Sequence, residues 1–307
     1  MDRLVTEIAG VRYRNPVLLA SGIWGESGLS LARAYNAGAG AVITKSIGPV
    51  PRDGYPNPTV EPLGDWGLLN AMGLPNPGIE NYLKEVDEAR RAGAVVIGSI
   101  FGATAEEFAR LARAMEGAGV SSLELNLSCP HAKGLGSEIG QDPHALSEVV
   151  KAVKGAVRIP VWAKLTPNTH DPGALAEAAA GSGADAVSAI NTVRAMAISA
   201  KAMRPVLAHK LGGLSGPAVK PIGLACVWQI YERVKAPIIG IGGITTAEDA
   251  FEYVIAGASM VEIGTAVSTR GEGVFREVSK GLDALLKEHG FSSVKDAVGA
   301  AHREPVS

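Results

Sequence analysis

The chain has 307 residues, of which 47% are hydrophobic, and it carries a formal charge of -2. This length suits one α/β barrel, and the apolar fraction supports a large core, which argues against a disordered chain. The balanced charge, without a basic block, disfavours nucleic acid and anionic membranes as partners, and no apolar run is long enough to span a bilayer.

The chain opens with LVTEIAGVRYRNP (4–16), which predicts a short hairpin at the bottom of a barrel. Eight Val- and Ile-rich runs then predict buried strands near 16–20, 41–45, 94–99, 122–127, 160–165, 185–190, 237–241 and 259–264. Helices are predicted between and after them, near 27–37, 78–92, 104–117, 143–157, 172–182, 217–234, 246–256 and 272–288.

Five of these junctions repeat one pattern, in which a helix ends in Gly and Ala and a strand follows, as in RAGAVVIGS (91–99). Glycine caps a helix C-terminus without a Cβ penalty. Eight such β/α units predict a (β/α)8 TIM barrel, and we expect a single domain over residues 1–307. The alternative is a doubly wound open sheet, which the missing G-x-G-x-x-G after the first strand disfavours.

Two long connections, 46–77 and 191–216, are predicted as inserted loops at the C-terminal face of the barrel, where this fold places its chemistry. Polar residues or glycines stand at seven of the eight strand ends: Ser21, Lys45 with Ser46, Asn126, Lys164, Asn191 with Thr192, Gly242 with Gly243, and Gly264 with Thr265. Their convergence on one rim is hard to explain by packing and predicts a binding site.

Glycines after strands seven and eight predict a phosphate site, because glycine allows close approach and exposes backbone N–H groups beside a helix N-terminus. A third glycine turn, GGLSGPAVKP (212–221), could close over the same phosphate.

Period-two alternation turns Leu123, Leu125 and Leu127 towards the helices and Glu124 and Asn126 towards the barrel axis. Lys164 likewise points inward, where an isolated ammonium is costly and must be paired or bind a ligand. A salt bridge from Lys164 to Glu124 is the alternative to a ligand and does not exclude one.

Cys129 follows the end of strand four in a glycine-dotted loop. A lone thiol is most often a buried packing residue, but in this place it is also a candidate base or nucleophile. A dyad with His131 is disfavoured, because neighbours in sequence need not face each other.

Cys226 lies among apolar helix residues and is predicted to be core. The histidines show no metal spacing, so no metal is predicted. Two cysteines and the absence of an apolar signal region indicate a reduced, cytoplasmic setting.

The chain resembles the class 1 dihydroorotate dehydrogenases from about residue 4 to 290. The likeness rests on six motifs in order: TKS (44–46), NAMGLPNPG (70–78), NLSCP (126–130), AKLTPN (163–168), GGLSGPAVKP (212–221) and GIGGI (240–244). The loop CPHAKGLGSEIGQDP resembles that of the NAD-linked subtype (class 1B).

The resemblance implies an FMN-dependent dihydroorotate dehydrogenase of pyrimidine biosynthesis. Cys129 thiolate would remove the C5 proton of dihydroorotate while flavin N5 accepts the C6 hydride. The loop 132–140 would act as a lid that shields the thiol from water.

Motif matching implies the remaining roles. The substrate would contact Lys45, Asn70, Ala71, Met72, Gly73, Leu74, Asn126, Asn191 and Thr192. The flavin would contact Ser21, Lys45, Ser46, Ser99, Asn126, Lys164, Ile190, Gly216, Gly242, Gly243, Gly264 and Thr265, with Lys164 at its N1–C2=O edge. Ser99 stands where the family often has Asn, and His131 also replaces a common Asn, so we expect the secondary flavin and loop contacts at these two positions to differ from those of the family.

In the NAD-linked subtype a separate subunit carries FAD and a 2Fe–2S cluster, and this chain has neither a cysteine cluster nor a dinucleotide fingerprint. We therefore expect such a partner, with a homodimer of this chain as the core of a heterotetramer. The alternatives are a fumarate-linked dihydroorotate dehydrogenase, a dihydropyrimidine dehydrogenase-like flavin reductase and a phosphate-binding barrel without redox function. The quinone-linked class is disfavoured, because its membrane-associated N-terminal helix has no counterpart here.

Overall fold

A computed structural model describes residues 2–127 and 139–303. Eight parallel strands form a closed barrel, which confirms the predicted TIM barrel. The barrel strands are β1 (Val17–Leu19), β2 (Val42–Ile43), β3 (Val96–Ile100), β4 (Ser122–Asn126), β5 (Val161–Leu165), β6 (Ala186–Ala189), β7 (Ile238–Ile241) and β8 (Ala258–Ile263). Each strand pairs with its neighbours in chain order, and β8 closes onto β1 through Val261 opposite Val17.

Eight principal helices surround these strands. They are α1 (Gly28–Asn36), α2 (Ile79–Arg91), α3 (Ala105–Gly117), α4 (Pro143–Ala156), α5 (Pro172–Gly181), α6 (Lys220–Arg233), α7 (Ala247–Ile255) and α8 (Val274–Glu288). Several begin at a side-chain cap: the oxygens of Ser27, Thr104 and Thr246 each accept a hydrogen bond from a backbone N–H of the first turn.

Alternation along β4 sorts its side chains as predicted. Leu123, Leu125 and Leu127 are buried in the cluster that packs the strands against the helices, together with Phe108 and Leu111 of α3. Glu124 is fully buried on the barrel side. The charged residue therefore lies inside the barrel while the apolar ones hold the helices.

The N-terminal hairpin closes the bottom of the barrel, as predicted. Its strands, Thr6–Ile8 and Val11–Tyr13, pair in antiparallel fashion. Tyr13 is fully buried, its hydroxyl is hydrogen-bonded to Ser122 Oγ at 3.0 Å, and its ring lies 6.1 Å from that of Trp162. The bottom is thus packed with aromatic rings, and the open end is the opposite one.

The two long connections meet above the open end. They form one four-stranded antiparallel sheet, which we call the mouth sheet. Its strands are Val60–Pro62, Leu68–Asn70, Val193–Ala195 and Gly212–Ser215. Beside it, the ring of Tyr55 stacks on that of His209 at 3.9 Å. The inserted loops were predicted, whereas their pairing into one sheet was not.

Two helix boundaries differ from the prediction. Residues 217–219 form a 3-10 turn, and α6 begins only at Lys220. A short helix, Thr265–Arg270, precedes α8 and ends at Gly271, whose φ of +71° is readily adopted only by glycine. Within the described ranges, no helix is both long and apolar enough to cross a membrane.

Candidate active site

A cavity of about 430 Å³ opens at the C-terminal ends of the barrel strands, beneath the mouth sheet. This volume lies within the usual range for small-molecule sites. Most of the predicted site residues line its wall. They are Ser21, Lys45, Ser46, Asn70, Met72, Leu74, Asn126, Lys164, Ile190, Asn191, Thr192, Gly216, Gly242, Gly243, Gly264 and Thr265.

Three predicted residues stand behind that wall. Ser99 is fully buried and is hydrogen-bonded to Ser46 Oγ at 2.9 Å, so it supports a lining residue. Ala71 packs in the apolar cluster of the mouth sheet, and Gly73 lies against Tyr55. The predicted base Cys129 and its neighbour His131 fall outside the described residues, as does most of the predicted lid.

One side of the cavity is built from glycine. Gly242 and Gly243 follow β7 with φ of +126° and +70°, and Gly216 has φ of +100°. A Cβ on Gly243 would come within 2.8 Å of Lys220 N and 2.9 Å of Gly216 O, so the two turns touch. Gly264 and Thr265 complete this side, where Thr265 Oγ1 donates to Ser215 Oγ at 2.8 Å. The glycine turn at 212–221 therefore lies against the turn that follows β7, and its closure over a phosphate stays a prediction.

The wall at the ends of β1, β2, β4 and β6 is rich in side-chain amides and hydroxyls that hydrogen-bond to one another. Asn126 Nδ2 donates to Ser46 Oγ at 3.0 Å, and Asn191 Nδ2 donates to Asn126 Oδ1 at 3.3 Å. Ser46 is also hydrogen-bonded to Ser21 at 3.3 Å. This chain of bonds joins four strand ends and presets the amides for a polar planar ligand.

Two further groups reach the cavity from outside this network. Lys45 Nζ donates to Glu26 Oε1 at 3.0 Å, and the lysine side chain is only 13% exposed, whereas that of Glu26 is 61% exposed. Asn70, at the end of a mouth-sheet strand, donates through Nδ2 to Gly213 O at 3.1 Å. Asn70 of the first insertion and Leu214 of the second both line the cavity, so each insertion contributes to the wall.

At the floor of the cavity, Lys164 Nζ donates to Glu124 Oε1 at 3.1 Å and to Glu262 Oε2 at 3.0 Å. Both carboxyl side chains have zero exposure. Burial alone would lower the pKa of Lys164, but the two carboxyl groups together raise it, so the lysine is cationic. The salt bridge to Glu124 that the sequence offered as an alternative is present, and Lys164 lines the cavity as well.

Glu262 is a site residue that sequence reasoning missed. It lines the cavity and lies between Val261 and Ile263 of β8, whose side chains pack against the helices. The same period-two alternation that turned Lys164 inward would have found it. Ser215, the partner of Thr265, was also missed, because only the mouth sheet brings it to the wall.

Metal ligation finds no support in the part of the chain that the structure describes, where no group of three or more His, Cys, Asp or Glu side chains could hold an ion. Cys226 is buried in α6, and this burial raises the pKa of its thiol to about 11, which suits a packing residue.

A barrel closed at the bottom by aromatic rings, with a polar cavity and a glycine cradle at the strand ends, is the architecture of a TIM-barrel enzyme. The sequence model of the dihydroorotate dehydrogenase family matches residues 3–286. The chain is 54% identical over 299 residues to a protein of Pyrococcus horikoshii, with 97% of each chain covered. It is 52% identical over 304 residues to a protein of Methanocaldococcus jannaschii, covering 97% and 98%. Both relatives are named dihydroorotate dehydrogenase B (NAD(+)), catalytic subunit.

The chain therefore belongs to the dihydroorotate dehydrogenase family. Its members oxidise dihydroorotate to orotate in pyrimidine biosynthesis, and membership implies a flavin cofactor. The words "catalytic subunit" in the relatives' names imply a second subunit in those enzymes.

Proposed function

We propose that this chain is the catalytic subunit of an NAD-linked dihydroorotate dehydrogenase, which binds FMN and dihydroorotate together in the mouth cavity. The observation that carries the proposal is the composition of the wall: a glycine cradle after β7 and β8, a network of amides and hydroxyls at the ends of β1, β2, β4 and β6, and a buried ammonium at the floor. A phosphate-bearing flavin and a planar amide substrate need these two kinds of surface.

The described residues fit FMN. The cradle of Gly216, Gly242, Gly243 and Gly264 leaves backbone accessible where side chains would obstruct it, which suits the phosphate. Lys164 has three N–H groups and gives two of them to Glu124 and Glu262, so one remains for an acceptor in the cavity. We assign that acceptor to the N1–C2=O edge of the flavin ring.

The amide side fits the substrate. Asn70, Asn126 and Asn191 would hydrogen-bond the ring N–H and C=O groups of dihydroorotate, because an amide offers both a donor and acceptor. Lys45 would bind the substrate carboxylate, since an ammonium that is mostly enclosed favours an anion. These contacts would hold the dihydroorotate ring flat against the flavin ring and exclude water from the reacting carbons.

Cys129 would act as the general base that takes the proton from C5 of dihydroorotate. It stands three residues after Asn126, whose side chain lines the cavity, and a positioned base contributes about 10²–10⁴-fold to such a step. When bound, FMN supplies the hydride acceptor for C6. In this mechanism the protein would position the Cys129 thiolate next to C5 of the substrate ring.

Electrons would leave through a partner subunit that carries FAD and a 2Fe–2S cluster, with two copies of this chain at the core of a heterotetramer. Such a cluster is usually held by four cysteines, and this sequence has two. The relatives' names, which combine NAD(+) with "catalytic subunit", favour the same division of labour. A cytoplasmic location stays a prediction.

The direct test is to purify the chain, identify its flavin after heat release, and assay oxidation of dihydroorotate with an artificial dye as acceptor. We expect FMN in near-equal ratio to protein and dye reduction with dihydroorotate. Dihydrouracil, which lacks the carboxylate, should be a poor substrate. A colourless protein that cannot be loaded with FMN would favour a phosphate-binding barrel, and equal rates with dihydrouracil would favour a dihydropyrimidine dehydrogenase-like reductase.

A further inference from the structure

The floor of the cavity contains two carboxyl side chains and one ammonium. Glu124 of β4 and Glu262 of β8 both contact Lys164 Nζ, at 3.1 and 3.0 Å, and all three side chains are buried. If both carboxyl groups were ionised, the group of three would carry a net negative charge at a buried position. An unbalanced buried charge of this kind is costly, and a carboxyl group in that position takes up a proton instead.

Each carboxyl group also has an oxygen without a partner. Glu124 Oε2 and Glu262 Oε1 are buried and accept no hydrogen bond from the described residues. A proton on one carboxyl group would turn one of these unpartnered acceptors into a donor and remove one negative charge. Because both carboxyl groups contact the same ammonium, either of them can be the site of that proton.

Among the described residues, Lys164 is the only cation within 4.0 Å of either carboxyl group, and Lys45, which lines the same cavity, is paired with Glu26. In register with Glu124 on the flanking strands are Ser99 and Trp162, and in register with Glu262 are Ile241 and Leu18. Ser188 of β6 lies in register with Lys164. Tyr13, the titratable group below them, is hydrogen-bonded to Ser122, and burial raises its pKa to about 12, so it stays neutral.

We infer that Glu124 and Glu262 share one proton, so that Glu124, Lys164 and Glu262 form an electrically neutral group beneath the cavity, which we call the floor triad. Glu124 and Glu262 are positioning residues: they fix Lys164 and keep its free N–H directed to the cavity without adding negative charge there. The same pattern agrees with the pKa of Glu262, which burial and then the charge of Glu124 raise well above its ordinary value. The effect of the triad on a flavin rests on the proposed function, whereas the shared proton does not.

The proton is tested by infrared spectroscopy of the purified protein at about pH 8, where exposed carboxyl groups are ionised. We expect a carbonyl band of a protonated carboxyl group that shifts in D₂O. Each single variant, Glu262→Gln or Glu124→Gln, should abolish this band, because the one carboxyl group that remains is then ionised and pairs with Lys164. Glu148→Gln, at a side chain that is 65% exposed, is the matched control and should leave the band unchanged.

Absence of the band from the unmodified protein would overturn the inference without any variant. Persistence of the band in Glu124→Gln would overturn it too, because the proton would then come from burial of Glu262 alone. These outcomes do not depend on FMN, so they remain separate from a failure of the proposed function.

The second readout is the midpoint potential of the bound flavin. Each single Gln variant has the same net charge as the protonated triad, so we expect little change in potential. The double variant Glu124→Gln/Glu262→Gln leaves Lys164 without a counter-charge and should shift the potential in the positive direction. A positive shift already in a single variant would show that both carboxyl groups are ionised, and would contradict the shared proton.

Discussion

Gly243 is the residue at which backbone conformation and ligand binding meet most closely. Its φ of +70° strains any other residue by about 1–3 kcal/mol, and a Cβ would come within 2.9 Å of Gly216 O. We expect Gly243→Ala to lower the unfolding free energy by that amount and to weaken FMN binding at least about tenfold, or ~1.4 kcal/mol. Denaturant unfolding and fluorescence titration with FMN measure the two effects.

Gly93 provides the matched control for this substitution. It follows α2 with φ of +87°, and a Cβ there would meet no atom within 4 Å. Gly93→Ala should cost only the backbone strain, about 1–3 kcal/mol of unfolding free energy, and leave the FMN dissociation constant unchanged. Equal FMN affinities for the two alanine variants would argue against the glycine cradle as the phosphate site.

The raised pKa of Glu262 predicts that the stability of the protein decreases as pH rises. Because its pKa is raised above the ordinary value of 4.5, the folded state holds a proton that the unfolded chain releases. The unfolding free energy should therefore fall as pH rises above that value, by up to ~1.4 kcal/mol per pH unit relative to Glu262→Gln. Urea unfolding of both proteins at about pH 5, 6 and 7 measures the difference; a difference independent of pH would contradict it.

At this scale, much of the candidate site was predictable from the sequence. Lys164 and Asn126 were found because strand alternation and strand ends are local patterns. Glu262 was accessible to the same reasoning. Ser215 was not, because its place in the wall depends on the pairing of the mouth sheet, which joins residues about 150 positions apart in sequence, such as Ser215 with Leu68.

Among the elements, the mouth sheet is the most separable from the barrel. Its apolar cluster holds Leu69, Ala71 and Leu207, apart from the cluster between strands and helices. We expect Leu69→Ala to loosen the sheet and raise KM for dihydroorotate, since Asn70 is the next residue and lines the cavity. Hydrogen exchange should show lost protection at 60–70 and 212–215 and little change in the barrel strands.

Leu125 of β4, equally buried but in the main core, is the control. Leu125→Ala should reduce the global unfolding free energy by about 2–5 kcal/mol and lower protection throughout the barrel. If Leu69→Ala lowers protection in the same global pattern, the mouth sheet is not an independent unit.

Sequence reasoning located the barrel elements closely because each unit carries its own signals, such as a Val- and Ile-rich strand and a glycine after the helix. The prediction of β4 at 122–127 and the observed Ser122–Asn126 illustrate this. The mouth sheet was not predicted because its strands have only three or four residues and are partly exposed, which is too short for an alternating pattern to identify a strand. Short strands of this kind are specified by their partners rather than by local sequence.

For the whole molecule, the proposed division between catalytic and electron-transfer subunits makes a prediction about the isolated chain. We expect dihydroorotate to reduce its flavin but the chain alone to reduce NAD at a negligible rate, because no G-x-G-x-x-G motif in its sequence follows a strand and opens a helix. Absorbance of NADH records the rate. Rapid NAD reduction by the chain alone would remove the need for a partner.

We propose that a thiolate at position 129 and a flavin act on the same substrate at the barrel mouth. Anaerobic stopped-flow mixing of the purified flavoprotein with dihydroorotate tests this arrangement. We expect rapid bleaching of the flavin absorbance in the unmodified protein and, in Cys129→Ala, full flavin content with bleaching slowed by about 10²–10⁴-fold. Bleaching at the same rate in both proteins would remove Cys129 from the mechanism.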